Sequence, residues 1–205
     1  MKITSTEFIS GYIQDDEQDW NPELPQIVFY GRSNVGKSST INALLNNKSV
    51  AKSSGTPGKT KEINLFLINK KIYFFDLPGY GFAKVSKAAR IKLHQLLKWF
   101  TFGTIARERL HVFILDIRVG LTDLDKEFIS PLVENNASVI VLLNKCDKTN
   151  QKDTSRALRE AQQALAEHVP VFPFSAEKRK GVDKFWSLVV AEEPSEKKST
   201  EEKSE

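Results

Sequence analysis

Ile27-Val28-Phe29-Tyr30-Gly31-Arg32-Ser33-Asn34-Val35-Gly36-Lys37-Ser38 is the run that decides the fold. Four apolar residues read as a buried strand, and Gly31 to Ser38 matches G-x-x-x-x-G-K-[ST] before helical periodicity begins at Ser39 to Leu45. The glycines let the loop turn so that successive N–H groups point inward, and the helix start behind them favours negative charge. This predicts a phosphate-binding loop built from Gly31, Arg32, Ser33, Asn34, Val35, Gly36, Lys37, Ser38 and Ser39. Lys37 should reach the β- and γ-phosphates and the Ser38 hydroxyl should ligate magnesium.

Outward from this loop, short apolar runs alternate with helical spacing. Strands are expected at Ile27–Tyr30, Leu65–Ile68, Ile72–Phe75, Val112–Ile117, Val139–Leu143 and Val171–Phe174. Helices are expected over Ile41–Leu45, Leu93–Phe100, Leu124–Leu132, Leu158–Leu165 and Phe185–Val189. Strands apolar at every position suit a sheet covered on both faces. The expected fold is a three-layer α/β P-loop nucleoside-triphosphatase domain with a six-stranded, mostly parallel sheet. Its one antiparallel edge strand comes from a hairpin through Asn69-Lys70-Lys71.

Three further elements fall at strand ends. Ile72–Phe75 runs into Asp76-Leu77-Pro78-Gly79, the spacing D-x-x-G. Asp76 is placed to hold magnesium directly or through water, and Gly79, without a Cβ, can bring its own N–H to the γ-phosphate. Val139–Leu143 runs into Asn144-Lys145-Cys146-Asp147, which matches N-K-x-D. A carboxylate there accepts two hydrogen bonds from guanine N1–H and the exocyclic amine, which adenine does not offer in that arrangement. Asn144 can tie this loop to the phosphate loop, Lys145 can lay its stem over the base, and Cys146 fills the variable position with a small side chain. Phe174 closes the last expected strand, Ser175-Ala176 follows it, and the Ala176 N–H is the expected donor to guanine O6. Between the phosphate loop and D-x-x-G, Gly58, Lys59 and Thr60 belong to a Gly/Pro-rich stretch. Thr60 is the choice for a second magnesium hydroxyl, with Thr56 as its rival.

Composition excludes several classes. The 205 residues are 40% hydrophobic and 27% charged, enough apolar matter for one core. No run approaches the roughly 18 apolar residues that span a bilayer. The single Cys146 can build neither an internal disulfide nor a cysteine-ligated zinc site. Residues 1–26 hold six acids against Lys2 alone, the reverse of a secretory or transit signal, so the expectation is a cytoplasmic protein. Residues 192–205 hold six acids against three bases and no large apolar side chain, and read as a disordered tail. That leaves 26 bases against 14 acids in residues 27–191, the expected G domain, behind an acidic segment 1–26 packed on it through Trp20. Lys84, Lys87, Arg90, Lys92, His94 and Lys98 give the helix after Tyr80 a basic outer face. It is either a solvated surface or an RNA contact.

The pieces G-R-S-N-V-G-K-S-S, S-G-T-P-G-K-T, D-L-P-G-Y-G-F-A, N-K-C-D and F-S-A together resemble the EngB (YihA/YsxC) GTPases of the TrmE-Era-EngA group, over residues 31–176. Lys61 departs from the glutamine common there. The resemblance implies a GTP-binding protein that cycles to GDP with magnesium and assists assembly of the large ribosomal subunit. It also implies that cell division and septation depend on the protein, which would act as a monomer with rRNA and ribosomal proteins as partners. Lys37, Thr60, Gly79 and Asn34 are the catalytic candidates. In related GTPases a phosphate-loop asparagine coordinates potassium in place of an arginine finger; otherwise Asn34 only satisfies loop backbone groups. Tyr80 stands where many GTPases place a water-orienting glutamine, so intrinsic hydrolysis should be slow. The rival is an RNA- or ribosome-binding module that uses GTP as a ligand with negligible turnover.

Overall fold

A computed structural model describes residues 1–13, 20–47, 49–51, 62–81, 86–104, 106 and 108–191. Its seven strands are β1 (Thr6–Tyr12), β2 (Gln26–Gly31), β3 (Ile63–Ile68), β4 (Ile72–Asp76), β5 (Arg109–Asp116), β6 (Ser138–Asn144) and β7 (Val171–Pro173). The helices are α1 (Lys37–Leu44), α2 (Lys87–Gly103), α3 (Asp123–Glu134), α4 (Gln151–Gln163) and α5 (Val182–Ala191). One sheet runs β1-β3-β4-β2-β5-β6-β7, and β3 alone runs against the other six strands.

The α/β fold and its antiparallel hairpin are as the sequence predicts. Ile68 to Lys71 closes the hairpin with Asn69 and Lys70 both left-handed (φ 51 and 57) and Lys71 N–H donated to Ile68 O at 2.9 Å. Two successive positive φ values make the type I′ turn whose twist matches a hairpin. The expectation of six strands with the antiparallel one at the edge is corrected. β3 is interior, and β1 pairs along it as the edge. β1 escapes a periodicity search because most of its residues are exposed or half-buried and a register shift between Phe8 and Ser10 breaks its alternation. The G-domain sheet therefore begins inside residues 1–26.

Side chains alternate to the two faces of each strand, so alternate residues of β2 and β6 serve two cores. Val28, Tyr30, Val139, Val141 and Leu143 pack with Leu96, Leu97 and Phe100 of α2, Phe128, Ile129 and Leu132 of α3, and Ala161 of α4. Ile27, Phe29, Ile140 and Leu142 pack with Ile41 and Leu44 of α1 and with Phe185, Trp186 and Val189 of α5. Trp20 closes the first core, its ring 5.0 Å from Tyr12 and 5.2 Å from Phe75. Truncating fully buried Phe100 to alanine should cost about 3–5 kcal/mol, since a cavity forms as well as contacts being lost.

A polar cluster lies inside this apolar layer. The Tyr30 hydroxyl meets Thr101 Oγ1 at 3.1 Å and His111 Nδ1 at 2.9 Å, while Arg109 donates twice to Gln26 Oε1, at 3.1 and 2.8 Å. Burial, reinforced by the Arg109 charge, pushes the His111 imidazole down to about 3. His111 is therefore neutral and serves the core.

Candidate functional site

The C-terminal ends of β2, β4, β5 and β6 meet at one edge of the sheet, where ligands bind in open α/β folds. β2 ends in Gly31, where a Cβ would come within 2.8 Å of Ile114 O and of Val35 Cγ2. Any larger residue would push the loop off the sheet. Gly36, left-handed at φ 95, caps α1, and a Cβ there would come within 2.5 Å of Asn144 Nδ2. The two motif glycines are thus required by close approach, and at Gly36 by conformation as well. Asn34 is also left-handed, at φ 67, a region asparagine tolerates better than most residues. Its exposed side chain satisfies no described loop backbone group; its carbonyl accepts from Lys145.

Lys37, the first residue of α1, forms an ion pair with Asp76 at the end of β4. In this conformation the ammonium serves the carboxylate. Ser38 and Ser39 follow in the first turn of α1. Leu77 is buried, and Pro78 and Gly79 carry the chain beneath the phosphate loop. There Tyr80 N–H is donated to Gly31 O at 3.3 Å, and Tyr80 O accepts from Ser33 N–H at 2.9 Å.

The N-K-x-D residues close the other side. Asn144 is buried, donates from Nδ2 to Val35 O at 2.8 Å and accepts at Oδ1 from Ala176 N–H at 3.1 Å. The tie between the two loops is therefore present, but the Ala176 N–H points at Asn144 here and must be shared or redirected to read a base oxygen. Lys145, left-handed at φ 66, sends Nζ to Asn34 O at 2.6 Å and to Asp116 Oδ2 at 3.0 Å. Its stem is thereby stretched across the gap between the loops. Asp147 Oδ1 accepts from Ser175 Oγ at 2.5 Å, and its other oxygen lies 3.3 Å from Lys148 Nζ. The Ser175 hydroxyl, followed by Lys148, holds the Asp147 carboxyl below its ordinary range, so it presents an ionised acceptor. Cys146 is buried against this loop, its N–H donated to Phe174 O at 3.1 Å, and burial raises its thiol.

Gly58, Lys59 and Thr60, with Thr56 and Lys61, lie outside the described residues, as do Lys84 and the tail 192–205. Of the basic side chains on α2, Lys87, Arg90 and Lys92 are exposed. Lys98 is exposed too, but it and the half-buried His94 reach Glu127 of α3, at 3.4 and 3.0 Å, and so knit α2 to α3.

Two contributors have no motif of their own. Asp116 ends β5 directly beside Asn144 and pairs with Arg118 through two bonds, at 2.9 and 2.7 Å, as well as with Lys145. Burial alone would raise its carboxyl, but the bonds from Arg118 and then Lys145 override that and hold it well below the carboxylate range. The only sequence signal was an acid at the end of an apolar strand. The second is Asp125, the fully buried partner of Tyr80, whose hydroxyl donates to it at 2.7 Å. In this conformation the phenol is thus given to α3 and not to the phosphate loop.

Comparison with known proteins agrees with this geometry. Residues 26–145 match the family model described as "50S ribosome-binding GTPase", and residues 105–195 that of the "Elongation factor Tu GTP binding domain". A "Probable GTP-binding protein EngB" from Thermoanaerobacter pseudethanolicus is 40% identical over 92% of this chain and 97% of its own length. Among solved structures, a probable GTP-binding protein EngB superposes with TM-score 0.63 at 25% identity, covering 81% of this chain and 97% of that one. Era in complex with MgGDPNP and nucleotides 1506–1542 of 16S ribosomal RNA superposes with TM-score 0.61 at 26% identity, covering 83% of this chain and 57% of that one.

Proposed function

The chain belongs to the EngB family of GTP-binding proteins and is a GTPase, and on that basis we propose that it works as a magnesium-dependent GTP/GDP switch assisting assembly of the large ribosomal subunit. Normal cell division and septation would depend on that role. The observation that carries the switch is the pairing of the D-x-x-G segment with the phosphate loop, Tyr80 to Gly31 and Ser33. A segment held by the loop that binds phosphate must respond to what that loop holds.

The residues fit the ligand. Close approach at Gly31 and Gly36 leaves room only for backbone, and the loop feeds directly into α1. Residues Gly31 to Ser39 bind the phosphates, with Lys37 exchanging Asp76 for the β- and γ-oxygens. Ser38 and Asp76 are hard oxygen donors of the kind magnesium prefers, and Thr60 would add a third. Bound magnesium supplies charge neutralisation at the phosphates. Asp147 reads the guanine N1–H and amine, Lys145 covers one face of the base, and Asn144 and the segment Phe174 to Ala176 fix the loops around it. Gly79 senses the γ-phosphate, with Leu77 and Pro78 setting its approach. Because Tyr80 offers no side-chain amide where many GTPases place a water-orienting glutamine, hydrolysis by the isolated chain is slow. A potassium ion held by Asn34, or the ribosome, completes the site.

The ribosomal partner is supported by the basic excess of residues 27–191 and by exposed Lys87, Arg90 and Lys92 at the start of the helix following the γ-phosphate sensor. Among the described residues, no helix is long and apolar enough to cross a membrane. The protein would act as a cytoplasmic monomer. Co-sedimentation with purified large subunits tests the proposal. Pelleting should be stronger with a non-hydrolysable GTP analogue than with GDP, should fall steeply with salt, and should weaken on charge reversal at Lys87 and Arg90 without loss of GTP affinity. Equal pelleting in both nucleotide states, unaffected by those reversals, would refute it.

A further inference from the structure

Tyr80 directly follows the γ-phosphate sensor, yet it is fastened on two sides. Its backbone is zipped to the phosphate loop, with Ser33 donating from both N–H (2.9 Å) and Oγ (3.2 Å) to its carbonyl. Its side chain is buried, and the hydroxyl reaches Asp125 Oδ1 at 2.7 Å. Asp125 is itself committed: as the N3 residue of α3 it completes a capping box, its Oδ2 accepting from Thr122 N–H at 2.9 Å and Thr122 Oγ1 at 2.6 Å. Only Oδ1 is left for Tyr80. The ring rests against Phe128 of α3, with centroids 5.6 Å apart.

This arrangement belongs to the conformation in which Lys37 is paired with Asp76 and the Ser33 N–H is given to Tyr80. Either nucleotide claims Lys37 through its β-phosphate, but only a triphosphate requires Gly79 to turn its N–H toward a γ-phosphate. Gly79 is packed tightly, a Cβ there lying 3.2–3.3 Å from Ser33. Tyr80 is its immediate neighbour and cannot stay in place if that peptide reorients. Releasing Tyr80 breaks a bond between a desolvated phenol and a buried carboxylate, and leaves Oδ1 without its donor. The resulting penalty falls on only one of the two states.

We propose that Asp125 is a positioning residue which, through the Tyr80 hydroxyl, latches the D-x-x-G segment against the phosphate loop, an arrangement that only a γ-phosphate has to undo, and so sets the balance between GDP and GTP binding. This rests on the reading of Gly79 as the γ-phosphate sensor. The phenol is suited to the task. Burial first, and the Asp125 charge second, raise its pKa well above the usual tyrosine value, so it remains a proton donor at all physiological pH.

The test is the ratio of affinities for GDP and a non-hydrolysable GTP analogue, measured with magnesium on the intact chain. Tyr80→Phe keeps the ring on Phe128 and removes only the hydroxyl. It should move the ratio toward the GTP analogue by about tenfold, the usual effect of one hydrogen bond to a charged group present in a single state. Asp125→Asn retains the capping acceptor and a neutral partner for Tyr80, so it should move the ratio in the same direction by less, and it serves if Tyr80→Phe does not fold. A merely structural role would weaken both nucleotides by one factor, and an unchanged ratio in both variants would overturn the latch. Hydrogen exchange over residues 76–81 of the unmodified protein separates the underlying premise. Identical protection with GDP and the analogue would remove the sensor, and the latch with it. Differing protection with an unchanged ratio would remove the latch alone.

Discussion

Replacing Asp116 by alanine should weaken binding of GDP and GTP alike. The carboxylate, 9% exposed, holds Lys145 Nζ at 3.0 Å and Arg118 at 2.7 Å, and Lys145 is the residue whose stem is expected to cover the base. Lys145 keeps its 2.6 Å bond to Asn34 O after the change, so its ammonium is loosened and not orphaned. Arg118 is 52% exposed and returns to water at little cost. The loss is therefore that of one partly buried charge-assisted bond, roughly 1–2 kcal/mol, or about five- to thirtyfold in affinity. Equilibrium titration with fluorescent GDP and a fluorescent GTP analogue at fixed salt measures it. Both constants should shift together because the base pocket does not sense the γ-phosphate. Asp116→Asn, which retains an acceptor, should lie between wild type and alanine. Arg118→Ala should cost less than about threefold, as befits an exposed pair. If Asp116→Ala leaves both affinities within about twofold of wild type, or weakens only one nucleotide, Asp116 does not act through Lys145.

Three other outcomes are expected. Asp147→Asn should turn base preference from GTP toward xanthosine triphosphate, since sites built on buried hydrogen bonds discriminate by roughly 10⁴-fold; equal ATP and GTP affinity in the unmodified protein would sink the assignment. Replacing sodium by potassium at constant ionic strength should accelerate hydrolysis, and Asn34→Ala should abolish the difference; identical rates in the two salts would remove Asn34 from that role. His111, lowered from 6.5 to about 3 in the folded chain, takes up its proton more readily when unfolded. Its contribution to stability is complete above pH 6.5 and is lost as pH falls toward 3, by about 1.4 kcal/mol per unit. Urea denaturation of His111→Gln beside wild type across that window should show a shallower pH slope in the variant, and parallel slopes would contradict the assignment.

The βα alternation, the phosphate loop, D-x-x-G and N-K-x-D were legible in the chain because each depends on neighbours close in sequence. An apolar strand, a glycine that only backbone can replace, and a polar residue at the strand's end carry their meaning within a dozen positions. The hairpin was legible for the same reason: Asn69 and Lys70 make the turn between adjacent strands. β1 was not, because what makes it a strand is the edge of β3, more than fifty residues away, and its own exposed side chains carry no alternation. Asp116 and Asp125 were also invisible as site residues. Nothing local distinguishes an acid that ends a strand or opens a helix from any solvated acid. Asp116 acquires its role when β5 lies against β6 and brings it to Lys145. Asp125 acquires its role when α3 carries it beneath Tyr80, forty-five residues earlier in the chain. Local backbone chemistry wrote the nucleotide-binding motifs into the sequence, whereas the partners that hold their side chains in place are defined by burial, which exists only once distant segments have packed.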